Sequence, residues 1–399
     1  MRKAFSGGVR EAASLLHGRV VATPVLESRL LNQELGGGRL LLKAECLQHT
    51  GSFKYRGALH RLLRLQQDDQ LAAERGVVAF SSGNFGQALA AAATTLGIRC
   101  TIVSPHDAPT LKLERIRQFG ATLKTSVANY AVGENREVVA AALAQQLSRE
   151  QGMTLLHPFD DVDVIHGQGT IGKEFLEQAD VLLGGAGKLH TLVVPAGGGG
   201  MAAGICLAVE DQCSSGYEAA RVVTVEPTGY DDHAHSFASA GRERRSLAQI
   251  YAAPGSSSSS SGGGGEGKQE TGNAHTHKSK MCDALMAGAP GEITWGVNRK
   301  RLHGAIAIAS DASVARAMRV AFDHFRVVLE PSGALALAAV LDGHFSSQSE
   351  SEPGGQGQGE PAPVLEPGRN IGVIASGGNT DLATFASIMG CAATHVDIK

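Results

Sequence analysis

The stretch Leu192-Val-Val-Pro-Ala-Gly-Gly-Gly-Gly-Met-Ala-Ala-Gly-Ile-Cys-Leu-Ala-Val209 decides how this chain folds. It opens with a short β-branched run, crosses four consecutive glycines and continues as an Ala/Leu-rich segment suited to a helix. Ordering a glycine costs more backbone entropy than ordering any other residue, so four in a row need compensation. Successive N–H groups ahead of a helix supply it by cradling a phosphate. Strand, loop and helix in that order belong to a parallel sheet covered on both faces, which binds its ligands beyond the carboxyl ends of the strands.

The same grammar repeats in both directions. Strands are expected at Arg39–Ala44, Val77–Phe80, Cys100–Val103, Val222–Val225 and Ile371–Ile374, with helices such as Gln87–Leu96, Leu111–Phe119 and Arg136–Ser148 between them. The fold class is therefore α/β with parallel sheets, and 399 residues suggest two domains. The chemically unusual residues fall at the strand ends. In Thr50-Gly-Ser-Phe-Lys-Tyr-Arg-Gly57, Lys54 sits in the first turn of an amphipathic helix, where partial positive charge and desolvation lower an amine's pKa. A neutral amine is what Schiff-base chemistry requires, although a lysine there is equally a solvated residue on a helix face. In Ser81-Ser-Gly-Asn-Phe-Gly-Gln87, Asn84 can donate to an oxygen anion, or the Ser and Asn can simply cap a turn. In Ser376-Gly-Gly-Asn379, a hydroxyl at a strand end can bond a heteroaromatic nitrogen without protonating it; the alternative is an ordinary turn.

Bulk properties narrow the partners. The net charge is −3 with 19% charged residues, which gives no sign of a nucleic-acid or anionic-membrane partner. No apolar run is long enough to span a bilayer, and Arg2, Lys3 and Arg10 precede no signal-type apolar core. Val9–Leu16 instead reads as a structural helix. Six cysteines without a C-x-x-C pair read as buried small residues in a reducing, cytoplasmic setting. The segments 255–278 and 346–369, rich in Ser, Gly, Gln and Glu, read as disordered insertions without function.

The four motifs, in this order, resemble those of the serine/threonine dehydratase and serine racemase family, pyridoxal-phosphate (PLP) enzymes of the tryptophan-synthase-β type, fold type II. The resemblance runs from about Val20 to Leu382. It implies two parallel-sheet α/β domains with the cofactor in the cleft between them: residues 1–75 plus 159–399 as the large PLP-binding domain, and 76–158 as a small mobile one. It implies that Lys54 carries PLP, beside Phe53, and that Asn84 bonds its phenolic oxygen. Gly197, Gly198, Gly199, Gly200 and Met201 would hold the phosphate and Ser376 would face the pyridine nitrogen. Ser81, Ser82 and Asn84 would line the substrate carboxylate site. It implies a Mg²⁺ or Ca²⁺ site from Glu226, Asp232 and the Tyr230 carbonyl, all oxygen donors; exposed loop carboxylates are the plain alternative. A homodimer is one possible assembly, and the sequence does not give the oligomeric state.

Three departures stand out. Phe85 replaces a histidine common after the asparagine, the region Met286-Ala-Gly-Ala-Pro290 lacks serines found in the racemases, and only about twenty residues follow Asn379, so no regulatory domain is expected. The resemblance implies elimination of water from a small β-hydroxy amino acid, L-serine or L-threonine, giving a 2-oxo acid and ammonia, with Lys54 as the base at Cα. Racemisation needs a second acid, which the resemblance places at Ser82. His157-Pro-Phe-Asp-Asp161 and the segment after it look more like the dehydratases. Serine racemase and 3-hydroxyaspartate dehydratase remain alternatives. Two other classes stay open: a nicotinamide-dependent oxidoreductase built on the loose Gly198-Gly-Gly-Met-Ala-Ala203 pattern with Glu226, and a catalytically silent binding protein.

Overall fold

The structure, a computed structural model, describes residues 7–106, 108, 110–126, 136–184, 189–213, 219–239, 241–242, 279, 281–308, 310–346 and 364–390. The low-complexity run 255–278, most of 346–369 and Cys391 lie outside them.

The chain forms two sheets. The larger has the order β1-β2-β10-β7-β8-β9, and the smaller the order β5-β4-β3-β6. The strands are β1 (Val25–Glu27), β2 (Arg39–Lys43), β3 (Val77–Phe80), β4 (Cys100–Ser104), β5 (Thr122–Thr125), β6 (Thr154–Leu155), β7 (Thr191–Pro195), β8 (Arg221–Pro227), β9 (Ala305–Ile308) and β10 (Asn370–Ile374). Every pairing is parallel except that of β1 with β2. The principal helices are α1 (Gly8–Leu16), α2 (Lys54–Asp68), α3 (Asn84–Thr95), α4 (Thr110–Gln118), α5 (Arg136–Gln151), α6 (Val162–Leu183), α7 (Gly200–Cys213), α8 (Asp232–Ala238), α9 (Glu292–Arg301), α10 (Asp311–Val320) and α11 (Pro331–Leu341).

Side chains alternate across the larger sheet as the pleat demands. Leu40, Leu42, Val193, Val223, Val225, Ile371 and Val373 enter one core with α10 and α11. Leu41, Leu192, Val194, Val222 and Ile374 enter the other with α6 and α7. In the smaller sheet Val77, Ala79 and Ile102 face α2 and α3, whereas Val78 and Val103 face Ala140, Ala144 and Leu147 of α5. Continuous apolar strands thus reflect burial on both faces.

One helix fixes the spacing of the others. On α6, a Cβ at Gly167 would lie 2.7 Å from the Arg56 carbonyl of α2. A Cβ at Gly169 would lie 2.7 Å from the Gly204 carbonyl of α7. The helix that starts with Lys54 and the helix that follows the glycine loop therefore both pack on α6 backbone to backbone. A buried ionic cluster locks this corner. Arg56 pairs with Glu45 at 2.8 Å and Glu174 at 3.0 Å, and Lys43 with Glu174 at 2.5 Å. Two cations meet two carboxylates there, and removing any one would leave an uncompensated buried charge, at about 3–5 kcal/mol.

Candidate active site

Strands β2, β10 and β7 are neighbours, so their carboxyl ends bring Lys54, Ser376 and the glycine loop together. The Ser81–Gln87 turn comes from β3 of the other sheet. Lys54 is the first residue of α2, and its Nζ donates to the Pro158 carbonyl at 3.0 Å. The amine lies 5.0 Å from the centre of the Phe53 ring and 5.9 Å from that of Phe85. Loss of hydration alone lowers its pKa from 10.5 to about 8.

The next residue after Pro158 touches the glycine loop. A Cβ at Gly198 would lie 2.2 Å from the Phe159 ring, and one at Gly199 would lie 2.5 Å from His233 Nε2. Gly199 also has φ +87°, a conformation other residues rarely adopt. The N–H groups of Gly197, Gly198, Gly199, Gly200 and Met201 donate to no described residue. Both polar atoms of the buried Gln168 amide, packed against Gly200, also lack a partner among the described residues. Five unspent donors at the head of a fourteen-residue helix form an anion cradle. The residues fit a phosphate.

A second layer holds the loop from behind. Thr294 Oγ1 donates to the Gly198 carbonyl at 2.7 Å, and Asn298 Nδ2 to the Gly199 carbonyl at 3.2 Å. Asp160, next to Phe159, accepts from the first N–H groups of α9: Glu292 at 2.9 Å, Ile293 at 2.8 Å and Thr294 at 3.1 Å.

Across the cleft, Asn84 begins α3. Its Nδ2 donates to Glu330 Oε1 at 2.6 Å, and its Oδ1 accepts from Asn379 Nδ2 at 2.8 Å. Glu330 is buried, and desolvation raises its pKa from 4.5 to about 7, with Asp283 adding to the rise. Ser81 Oγ accepts from Gly86 N at 3.0 Å and Gly83 N at 3.3 Å, so it closes the turn. Ser82 lies beside it, half-buried. Ser376 is buried at the end of β10, and its carbonyl accepts from Phe53 N at 3.1 Å. Two contacts tie α4 to the far wall: Lys112 pairs with Asp283, and Arg115 donates to Asn379 Oδ1 at 3.2 Å. Phe85 is a core residue of the smaller sheet, which explains how it replaces a histidine without a polar partner.

Of the expected cation set, Glu226 is already engaged. Glu226 Oε1 accepts from the N–H of His233 and from its ring Nδ1, both at 2.9 Å, and Oε2 accepts from Ala234 N at 2.9 Å. Tyr230 and Asp232 are buried nearby. An ion on Glu226 would have to displace the imidazole N–H, so the residues as arranged do not fit the ion expected there.

Sequence reasoning points to Asn379 without giving it a role, and it misses Glu330, Asp160, Thr294 and Asn298. Glu330 does carry a signal: a lone carboxylate inside the apolar run Val327-Val-Leu-Glu-Pro-Ser-Gly-Ala-Leu335.

Residues 17–353 match the family model described as pyridoxal-phosphate dependent enzyme. The chain belongs to this family. It is 33% identical over 381 residues to an L-threo-3-hydroxyaspartate ammonia-lyase of Pseudomonas sp, covering 96% of this chain and 97% of that one. It is 32% identical over 377 residues to a serine racemase of Arabidopsis thaliana, covering 94% and 93%. Among solved structures, maize serine racemase superposes with a TM-score of 0.72 at 29% identity, covering 96% of each chain. The likeness makes this a fold type II PLP enzyme.

Proposed function

We propose that the chain is an ammonia-lyase that removes water from a small β-hydroxy amino acid, with L-serine and L-threonine as the first substrates to test. The observation that carries the reading is the desolvated Lys54 amine, held 3.0 Å from the Pro158 carbonyl, one residue from the ring that packs on the glycine loop. When bound, the pyridoxal ring draws electron density from the α-carbon of the amino acid joined to it.

The protein's own residues do the rest. Lys54 would be the covalent attachment point for the cofactor, and its neutral Nζ, when free, would take the proton from Cα. The Cβ–O bond breaks, and that proton can return to the leaving hydroxyl, so water departs. The enamine product then takes up water and yields a 2-oxo acid and ammonia. Gly197 to Gly200 and Met201 would hold the phosphate, Phe53 would lie beside the ring, Asn84 would bond its phenolic oxygen and Ser376 would face its nitrogen. Ser81, Ser82 and Asn84 receive the substrate carboxylate. Residues 76–158 form the smaller domain, and its α4, tied to Asp283 and Asn379 across the cleft, closes the site against water. Among the described residues no helix is long and apolar enough to cross a membrane.

Serine racemisation is the second reading. Ser82, next to the capping Ser81, is the hydroxyl assigned to reprotonate Cα from the opposite face, and the Arabidopsis relative is a serine racemase. The experiment is to incubate PLP-loaded protein with L-serine, L-threonine and L-threo-3-hydroxyaspartate, following 2-oxo acid and D-serine together. The lyase reading fails if protein that visibly holds PLP forms no 2-oxo acid from any of the three.

A further inference from the structure

His233 is used by none of the roles above, yet it lies between the Glu226 carboxylate and the phosphate loop. The side chain is fully buried on the first turn of α8, edge-on to Trp295 with ring centres 6.3 Å apart. Nδ1 faces Glu226 Oε1 at 2.9 Å, so Nδ1 carries the hydrogen. Nε2 faces Asn298 Nδ2 at 3.3 Å and accepts from it. Asn298 must present nitrogen on this side, because the same Nδ2 donates to the Gly199 carbonyl at 3.2 Å. A Cβ on Gly199 would lie 2.5 Å from His233 Nε2 and 2.7 Å from Asn298 Nδ2, so both side chains press directly on the loop.

The Glu226 carboxylate is already committed. Three N–H groups point at it, two of them at Oε1, and it is fully buried. Mg²⁺ and Ca²⁺ demand direct oxygen ligands, about six for the first and six to eight for the second. A proton aimed at the same oxygen repels such an ion and fills its place.

We propose that in this chain His233 stands in for the divalent cation: the relay Glu226–His233–Asn298 holds Gly199, and PLP binding needs no added metal. His233 is a positioning residue; it acts on the cofactor through Asn298 and the loop.

The test uses PLP-loaded protein in EDTA or in millimolar Mg²⁺ or Ca²⁺. Thermal midpoint, PLP dissociation constant and the ³¹P chemical shift of the bound phosphate are read in each. The wild-type protein is expected to give the same three values in all conditions. His233→Ala is expected to weaken PLP binding about tenfold in EDTA and to move the ³¹P signal. Mg²⁺ or Ca²⁺ is expected to restore part of that loss, because the substitution frees Glu226 beside Asp232. Asn298→Ala is expected to weaken PLP binding without gaining a response to metal. The proposal is overturned if the wild-type protein loses PLP or melts lower in EDTA and recovers with either ion. It is equally overturned if His233→Ala leaves both PLP affinity and the ³¹P shift unchanged. Should His233→Ala not fold, the wild-type metal titration and Asn298→Ala decide it alone.

Discussion

Replacing Glu330 with glutamine should make the protein more stable at pH 8 and leave it nearly unchanged at pH 5. Glu330 is 3% exposed, and burial lifts its carboxyl from 4.5 to about 7, reinforced by Asp283 and opposed by Lys112, the Asn84 hydrogen bond and Arg115. The folded protein therefore holds a proton there between pH 4.5 and 7 that the unfolded chain has already released. Stability contributed by this group is full below pH 4.5 and is lost as pH rises to 7. A displacement from 4.5 to about 7 corresponds to about 3 kcal/mol. Glutamine keeps an Oε1 to accept from Asn84 and carries no charge at any pH, so the variant escapes this loss. For a chain of this size about 3 kcal/mol amounts to roughly 3–6 °C in midpoint. Thermal unfolding of the apo-protein, wild type against Glu330→Gln, at half-unit steps from pH 5 to 8 would trace it. A difference independent of pH, or a variant less stable at pH 8, would refute the argument that Glu330 is destabilised by burial.

Lys54→Ala should abolish the borohydride-sensitive visible absorbance of bound PLP and lower 2-oxo acid formation by about 10³-fold or more. In the apo-protein the rate of PLP capture should rise through about pH 8 and level above it, because only the neutral Lys54 amine attacks; stopped-flow absorbance measures it. Gly198→Ala should weaken PLP binding at least about tenfold, since the new methyl collides with the Phe159 ring, as equilibrium dialysis would record. Ser82→Ala should abolish any D-serine formation while sparing most of the elimination; equal loss of both products would remove Ser82 from the racemisation reading.

The sheet strands from β2 to β10 that carry motifs are readable because both faces are buried, which leaves unbroken β-branched runs such as Val222–Val225. Apart from β9, whose short apolar run Ala305–Ile308 also goes unread, the strands that escape such reading are of another kind. β5, Thr122–Thr125, is largely exposed and polar, and β6 is only two residues long, so neither writes an apolar run. β1 is antiparallel and half-buried. At the site the glycines advertise themselves, since poly-Gly has few structural uses, whereas Lys54 alone reads as a solvated helix-face residue and stands out only beside the other motifs. Asp160, Thr294 and Asn298 look like ordinary capping or surface residues in sequence, and only the packing of α9 against the loop gives them a task. The acidic pair of Glu226 and Asp232 shows the reverse case, in which a pattern is legible but the neighbour that answers it, His233, is not.

The glycines of α6 have one further consequence. The helices that carry the proposed covalent and ionic grips on the cofactor, α2 and α7, stand on opposite sides of α6 and touch its bare backbone at Gly167 and Gly169 through Arg56 and Gly204. The gap between them is thus a caliper set by the thickness of that backbone. A methyl on either side would open the caliper without touching a reacting group. On the proposed reading the spacing of the two grips is set by α6, and we expect variation in substrate preference to come from the turn of β3 and from α4, which do not pack on those glycines.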